Sequence, residues 1–289
     1  MPDLFSALAN PDFAFLRLAF LASACASVAF GIVGSLVVAR RLSYLAGGIA
    51  HCCLGGIALG LFAERVLRWE NFGPTAGATL VSLLAALALG ALTLRGRERE
   101  DTLIGVLWAL GMAGGLILLN FTPGHAELMS YLFGDILLVA ERDLWLTAAL
   151  SAFLLLLCLG FYRHILATCF DQEFTALRGV PADACYLAIL CLTALTVVLT
   201  VRLAGVIMVI ALLTIPAATA GRLTRSLKGM MFWASVLCLV FNWGGLAASY
   251  SLGAAYGINV SSGPAIVACA GAAYLLTALT ARLLRPRGS

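Results

Sequence analysis

The chain has 289 residues, of which 62% are hydrophobic and only 11% charged, with a mean hydropathy of +1.03 and a net charge of +4. Soluble globular domains carry about 25% charged residues, so this composition excludes a soluble globular domain and predicts an all-α integral membrane protein. The small net charge gives no reason to expect a nucleic-acid partner. Most of the nine cysteines lie in apolar segments, where we interpret them as small buried hydrophobes.

Nine apolar segments are long enough to cross a membrane, which takes about 20 residues. They are 14–38, 44–63, 74–94, 102–120, 143–162, 184–201, 203–220, 230–250 and 263–282. The sixth and seventh are separated by little more than Arg202, so eight transmembrane helices with one bent are the alternative. The first segment follows no Lys or Arg and is too long for a signal-peptide core. We therefore expect residues 1–289 to form a single transmembrane domain.

The distribution of Lys and Arg predicts the orientation, because cytoplasmic loops collect positive charge. Of the 18 basic residues, five fall on one side of the predicted membrane: Arg17, Arg65, Arg68, Arg142 and Arg202. The remaining basic residues fall on the other side. The sequence therefore predicts an N-terminus outside the cell and a C-terminus in the cytoplasm.

The segment 40–60 contains His51, the one histidine of the chain that lies inside an apolar segment. Gly47 and Gly55 lie one helical turn before and after it on the same face, because residues four apart stack. A second row of small residues lies beside this face: Gly48, Cys52, Gly56 and Gly60. An ionisable group within a membrane is costly and indicates a functional site, here a metal pathway with glycines for close approach. The alternative is a neutral core histidine whose ring N–H binds a backbone carbonyl.

Cys52 and Cys53 follow His51 directly. Neighbours on a helix diverge by about 100°, so Cys52 can border the same cavity while Cys53 points away. An imidazole with a thiolate favours a borderline-soft ion such as Zn²⁺. Two small apolar residues at a tight helix contact are the alternative, and we favour it.

Residues 163–181 are the main polar interruption on the predicted cytoplasmic side. An apolar stripe predicts a short amphipathic helix over about 164–180: Leu166, Phe170, Phe174 and Leu177. Gly179 and Pro181 end it. The helix can lie on the lipid headgroups or dock on a partner protein, and its mostly acidic charges favour docking because anionic lipids repel them.

On the predicted outer side, 130–139 is apolar but only half the length of a span, which predicts a re-entrant or interfacial segment. Asp135 lies inside it, and Gly134 predicts a break in the helix. Asp135 is either a cap at that break or an ion contact.

No enzyme is predicted, since the sequence lacks the HExxH, GxSxG and CxxC patterns. It also lacks a GxxxxGK[ST] phosphate loop. If ATP drives a process here, a separate subunit must supply the ATPase.

Five sequence blocks, in order, resemble the membrane permease subunits of bacterial ABC importers for zinc, manganese and iron(II), the metal-permease (ABC-3) family. The blocks are RRLSY…AHCCLGG (40–56), YLFGDILLV (131–139), FDQEFTALRGV (170–180), VRLAGVIMVIALLTIPAATAGR (201–222) and SSGPAIV (261–267). Together they extend over nearly the whole chain.

The resemblance implies an ABC importer permease in the bacterial cytoplasmic membrane. It would work as a homodimer among membrane lipids, with a cytoplasmic ABC ATPase and an extracytoplasmic metal-binding protein. The transported ion would be zinc, manganese or iron, with no permanently bound cofactor. His51 would lie in or near the ion pathway. The block 170–180 would couple to the ATPase through Phe170, Asp171, Glu173, Phe174, Leu177 and Gly179.

One position departs from this pattern. Many members carry an aspartate four residues before the histidine, where this chain has Gly47. Asp135 or Cys52 could take the place of that carboxylate. Two alternatives therefore stay open: an importer of the related fold for a metal chelate such as a siderophore or cobalamin, and an ATP-independent carrier.

Overall fold

The computed structural model describes residues 14–69, 71–96, 99–123, 132, 134, 139–256 and 261–283. The described residues form helices and contain no strand. The helices are α1 (Ala14–Ala39), α2 (Ser43–Arg65), α3 (Pro74–Leu94), α4 (Glu100–Phe121), α5 (Glu141–Phe170), α6 (Gln172–Leu177), α7 (Ala182–Leu223), α8 (Leu227–Tyr256) and α9 (Ser262–Leu283). In this part of the chain, eight helices are long and apolar enough to cross a membrane, namely all except α6. The predicted all-α membrane fold is confirmed.

Local sequence explains both boundaries of α3. Pro74 occupies the first turn of α3 after the extended Gly73, a position where the missing N–H of proline costs nothing. Gly96 follows the end of α3 with a φ of 63°, the left-handed conformation in which glycine carries no steric penalty. Short connections of this kind keep successive helices next to one another.

The longest helix, α7, is broken at Gly205, where φ is 72° and ψ is 161°. The alternative of eight helices with one bent placed the bend near Arg202, but Arg202 is helical and the break lies three residues later. The physical reason is the positive φ, which a residue with a Cβ rarely adopts. The two predicted segments 184–201 and 203–220 therefore lie within this one broken helix.

Both ends of α7 lie at the same end of the helix bundle. Tyr186, near its start, stacks on Arg40, which follows α1. Helix α8 runs antiparallel to α1, because Gly31 packs on Ser235 while the Trp243 Nε1–H donates to the Phe20 carbonyl. The start of α8, and with it the end of α7, therefore lies beside the end of α1. The chain reverses at Gly205, and α7 makes two passes.

Close contacts between small residues hold the helices together, as expected where lipid removes most of the hydrophobic driving force. A Cβ on Gly56 would lie 2.5 Å from the Gly77 carbonyl oxygen, and one on Gly60 2.5 Å from that of Gly73, so α2 and α3 touch backbone to backbone. Polar bonds add to this packing. The Asn242 amide donates to Ser27 Oγ at 2.9 Å, which joins α8 to α1.

The helices differ in burial. In the most apolar part of α2, 83% of the residues are buried, whereas the corresponding share is 11% for α4. Large apolar side chains cover the outward face of α4, and Leu110 is 65% exposed. Helix α2 is thus central, while α4 lies at the edge of the bundle.

The predicted amphipathic helix over about 164–180 needs a correction. Residues 164–170 are the last two turns of α5, and Asp171 is extended with a φ of −151° and a ψ of 100°. Only Gln172–Leu177 form a separate helix, α6, which is followed by Gly179 with a φ of 76°. The i→i−4 bonds of the spanning helix continue through Ala167, whose carbonyl accepts from Asp171 N–H, so α5 extends beyond the predicted span.

Candidate functional site

His51 is one of few residues of α2 that reach an open surface. Within 45–61 every residue is buried except His51 and Leu59, which are half-buried. The apolar packing of α2 against α3, α4 and α7 therefore leaves a narrow accessible stripe, and the imidazole is its polar group.

A hydrogen bond fixes the orientation of the imidazole. His51 Nδ1 lies 2.7 Å from the Gly47 carbonyl oxygen, one helical turn earlier. A carbonyl oxygen can only accept, so this contact requires the proton on Nδ1, and in the neutral imidazole the lone pair is then on Nε2. This bond is the one expected of a core histidine. It is also the bond that orients imidazoles which bind metals through their other nitrogen.

Trp108 of α4 covers one side of the imidazole. The ring centroids are 4.4 Å apart, and the ring planes are inclined by 31°. Trp108 is 40% exposed, so the stacked pair forms part of the surface. Trp108 was not among the residues predicted to form the site. Its position in the sequence could have identified it. Tryptophans of membrane proteins concentrate at the headgroup level, whereas Trp108 lies eight residues into a membrane-spanning helix.

Glycines explain why α4 comes close enough to place Trp108 on His51. A Cβ on Gly55 would lie 2.6 Å from the Gly111 carbonyl oxygen, and one on Gly48 would lie 3.0 Å from Ile104. Both positions require a small residue for α4 to pack at this distance. Gly47 differs, since a Cβ there would meet Trp108 Cζ3 at 3.6 Å, an ordinary contact distance.

The two cysteines next to His51 lie in helix contacts. Cys52 is 3% exposed, and its thiol donates to the Leu107 carbonyl at 3.2 Å. Cys53 is fully buried. This placement supports packing between helices, the alternative that we favoured from the sequence, over a role of Cys52 as a metal ligand.

The segment around Asp135 is only partly described, and Asp135 itself lies outside the described residues. Gly134 has a φ of 60°, in agreement with the predicted break in the chain. A Cβ at Gly134 would fall on Ala204 and Gly205, so Gly134 packs directly on the break in α7.

The residues predicted to contact an ATPase lie at the end of the bundle near Arg40. Phe170 is 73% and Leu177 86% exposed, and Asp171 and Gly179 are exposed as well. Glu173 and Phe174 belong to α6, but their side chains are outside the described part. Two large apolar side chains on the surface of a short external segment suit contact with another protein.

The described side chains do not group three or more His, Cys, Asp or Glu around a common point. Within residues 45–61, His51 and Leu59 are half-buried, and His51 is the one of the two with a nitrogen that can bind a metal.

Comparison with known proteins shows similarity over almost the whole chain. The family model described as "ABC 3 transport family" matches residues 12–281. An uncharacterized membrane protein of Synechocystis is 43% identical over 267 residues, which cover 92% of this chain and 90% of that protein. The manganese transport system membrane protein MntC of Listeria monocytogenes is 30% identical over 256 residues, 89% of this chain and 87% of MntC.

The same similarity appears in three dimensions. The solved structure of PsaBC from Streptococcus pneumoniae in complex with Fab contains a chain that superposes with a TM-score of 0.79. The two chains are 29% identical, and the match covers 94% of this chain and 93% of that one.

Proposed function

This chain belongs to the ABC 3 transport family. We propose that the protein carries a divalent metal ion across the cytoplasmic membrane and that His51 lies on the pathway of this ion. The chain is the multi-pass membrane permease subunit of a metal ABC importer. The observation that supports His51 is its geometry. Its Nδ1 lies within hydrogen-bond distance of the Gly47 carbonyl oxygen, which leaves Nε2 for an ion, and the side chain is half-buried on the accessible stripe of α2.

A single oriented imidazole per subunit suits transport better than storage. A conducted ion must bind strongly enough to enter and weakly enough to leave, which few ligands achieve. Neutral imidazole suits zinc and iron, whereas carboxylates suit manganese. We therefore propose zinc or iron(II) as the preferred ion, although several relatives are named for manganese.

The pathway is proposed to run between two copies of the chain. The stripe of α2 that carries His51 opens beside a cleft of about 340 Å³ lined by Tyr44, Asp101, Ile104, Gly105 and Trp108. Tyr44 is 71% exposed, and α4 next to it is the least buried spanning helix in the described chain. A second copy on this face would cover the exposed apolar surface of α4 and bring two imidazoles toward one pathway.

An ATPase in the cytoplasm is proposed to drive the transport, because the sequence has no phosphate loop of its own. The exposed Phe170, which ends α5, and Leu177, which ends α6, form the proposed contact. A metal-binding protein would deliver the ion on the other side of the membrane. The two passes of α7 support termini on opposite sides of the membrane, with the N-terminus outside. The basic residues near α6 support the cytoplasmic side for this end.

Metal uptake tests the function. We expect cells that lack the gene to regain ATP-dependent uptake when the wild-type permease is produced with its ATPase and binding protein. Zinc, manganese and iron(II) would be offered separately and the cell contents measured by mass spectrometry. Restored uptake of zinc or iron(II) would identify the transported ion. Uptake of none of the three, with the complex assembled, would contradict the proposed function.

Substitution of Gly47 tests the origin of the metal preference. Gly47→Asp adds a carboxylate one turn from His51, at a position whose Cβ has ordinary contact with Trp108. We expect the manganese-to-zinc uptake ratio to rise by about tenfold, the effect of roughly 1.4 kcal/mol of added preference. The matched control is Gly47→Asn, which has the same shape without the charge and should leave the ratio unchanged. An equal rise in both variants would rule out the charge as the cause.

A further inference from the structure

Arg40 joins four helices at the end of the bundle that carries α6. Its Nη1 donates to the Thr168 carbonyl of α5 at 2.5 Å, and its Nη2 donates to Gln172 Oε1 of α6 at 3.0 Å. Its guanidinium carbon lies 4.6 Å from the ring centroid of Tyr186 in α7. Arg40 directly follows α1, so one side chain connects α1 with α5, α6 and α7.

Tyr186 extends this connection to α4. Its ring is 1% exposed, and its hydroxyl donates to Glu100 Oε1 at 2.8 Å. Glu100 is the first residue of α4. On the other side, Gln172 Nε2 donates to Asp183 Oδ1 at 2.9 Å, which ties α6 to the start of α7. We call the series Gln172, Arg40, Tyr186 and Glu100 the polar bridge. It leads from α6 to the N-terminal end of α4.

Helix α4 contacts the rest of the described chain chiefly through α2, and 11% of its most apolar part is buried. It packs along α2 through a glycine seam formed by Gly48, Gly55, Gly111 and Gly115. Such a seam lets the two backbones approach closely, so α4 lies directly against α2 along this face. Trp108 lies eight residues from Glu100, about 12 Å along the helix. A shift of Glu100 would therefore move Trp108 relative to His51.

We propose that the polar bridge transmits the movement of α6 to α4, so that Trp108 shifts on His51 when the ATPase acts. Arg40, Tyr186 and Glu100 are then positioning residues for transport. The inference rests on the proposed function, because it takes α6 as the ATPase contact and His51 as the ion contact. A purely structural role differs in a measurable way, since loss of the bridge would then change stability without changing the metal moved per ATP.

Tyr186→Phe is the most selective test. It removes the hydroxyl that reaches Glu100 and keeps the ring against Arg40. In proteoliposomes with the complete complex of permease, ATPase and binding protein, we expect the metal transported per ATP hydrolysed to fall about three- to tenfold, the factor of a lost hydrogen bond. The permease should still assemble with the ATPase, and basal ATP hydrolysis should stay unchanged. Glu100→Leu should give the same loss, and Glu100→Gln, which still accepts a bond from Tyr186, should restore the ratio.

Tyr162→Phe is the matched control. Tyr162 of α5 also lies under a cation, with Lys228 Nζ 4.5 Å from its ring centroid, but it is outside the bridge. The metal transported per ATP hydrolysed by the Tyr162→Phe variant should equal that of the wild type. A wild-type ratio in Tyr186→Phe would overturn the inference, as would an equal loss in Tyr162→Phe or a loss of ATPase binding. If the wild-type complex itself moved no metal, the proposed function would fail instead.

Discussion

Replacing His51 with alanine is expected to reduce metal uptake by more than about tenfold, because even loss of a group that only supports a metal ligand costs 10- to 100-fold. His51 is the half-buried residue of 45–61 that carries a nitrogen able to bind a metal, so alanine leaves the accessible stripe of α2 without a ligand. Uptake of zinc, manganese and iron(II) would be measured in starved cells that contain equal amounts of permease in the membrane.

Two further variants separate the ligand from its surroundings. His51→Asn retains an N–H that can donate to the Gly47 carbonyl but lacks the imidazole, so its uptake should be as low as that of the alanine variant. Cys52→Ala should retain most of the uptake, since its thiol is bound to the Leu107 carbonyl inside the α2–α4 contact. Wild-type uptake in His51→Ala would make the histidine structural and favour an importer of metal chelates.

Gly205→Ala is expected to destabilise the permease by about 1–3 kcal/mol, because its φ of 72° and ψ of 161° belong to a region that only glycine populates readily. The strain falls where α7 reverses and where Gly134 packs on Ala204 and Gly205. The free energy of unfolding in detergent and the yield of folded protein would both fall.

Gly160→Ala is the control for Gly205→Ala. Gly160 lies in regular helix α5, and no atom comes within 4 Å of its missing Cβ. Alanine there should preserve or slightly raise stability, in line with its better helix propensity. Equal stability of the two variants would show that the break at Gly205 tolerates a side chain, and the two-pass arrangement of α7 would then need another explanation.

The spans and the general function followed from the sequence, because lipid imposes a requirement that is local in the chain. Every membrane-crossing segment must satisfy its own backbone hydrogen bonds and present apolar side chains. The apolar segment 74–94 coincides with α3 for that reason. His51 was also identified from local sequence, because its apolar neighbours place an ionisable side chain inside a membrane-spanning segment, where it is energetically costly.

Contacts between distant parts of the chain depended on the tertiary structure. Trp108 lies 57 positions from His51 in the sequence, and only the glycine contacts between α2 and α4 bring the two rings together. The polar bridge likewise joins residues at the ends of four helices, α1, α4, α6 and α7, and hydropathy contains no information about these contacts. The bend in α7 was predicted near Arg202 but lies at Gly205. The prediction followed the charged residue that interrupts the hydropathy, whereas the position of the turn depends on backbone conformation. The extent of α5 was misjudged because a helix continues as long as its backbone bonds continue, even beyond the apolar segment. The sequence thus determined which segments cross the membrane as helices. The packing of those helices decided which side chains contact one another.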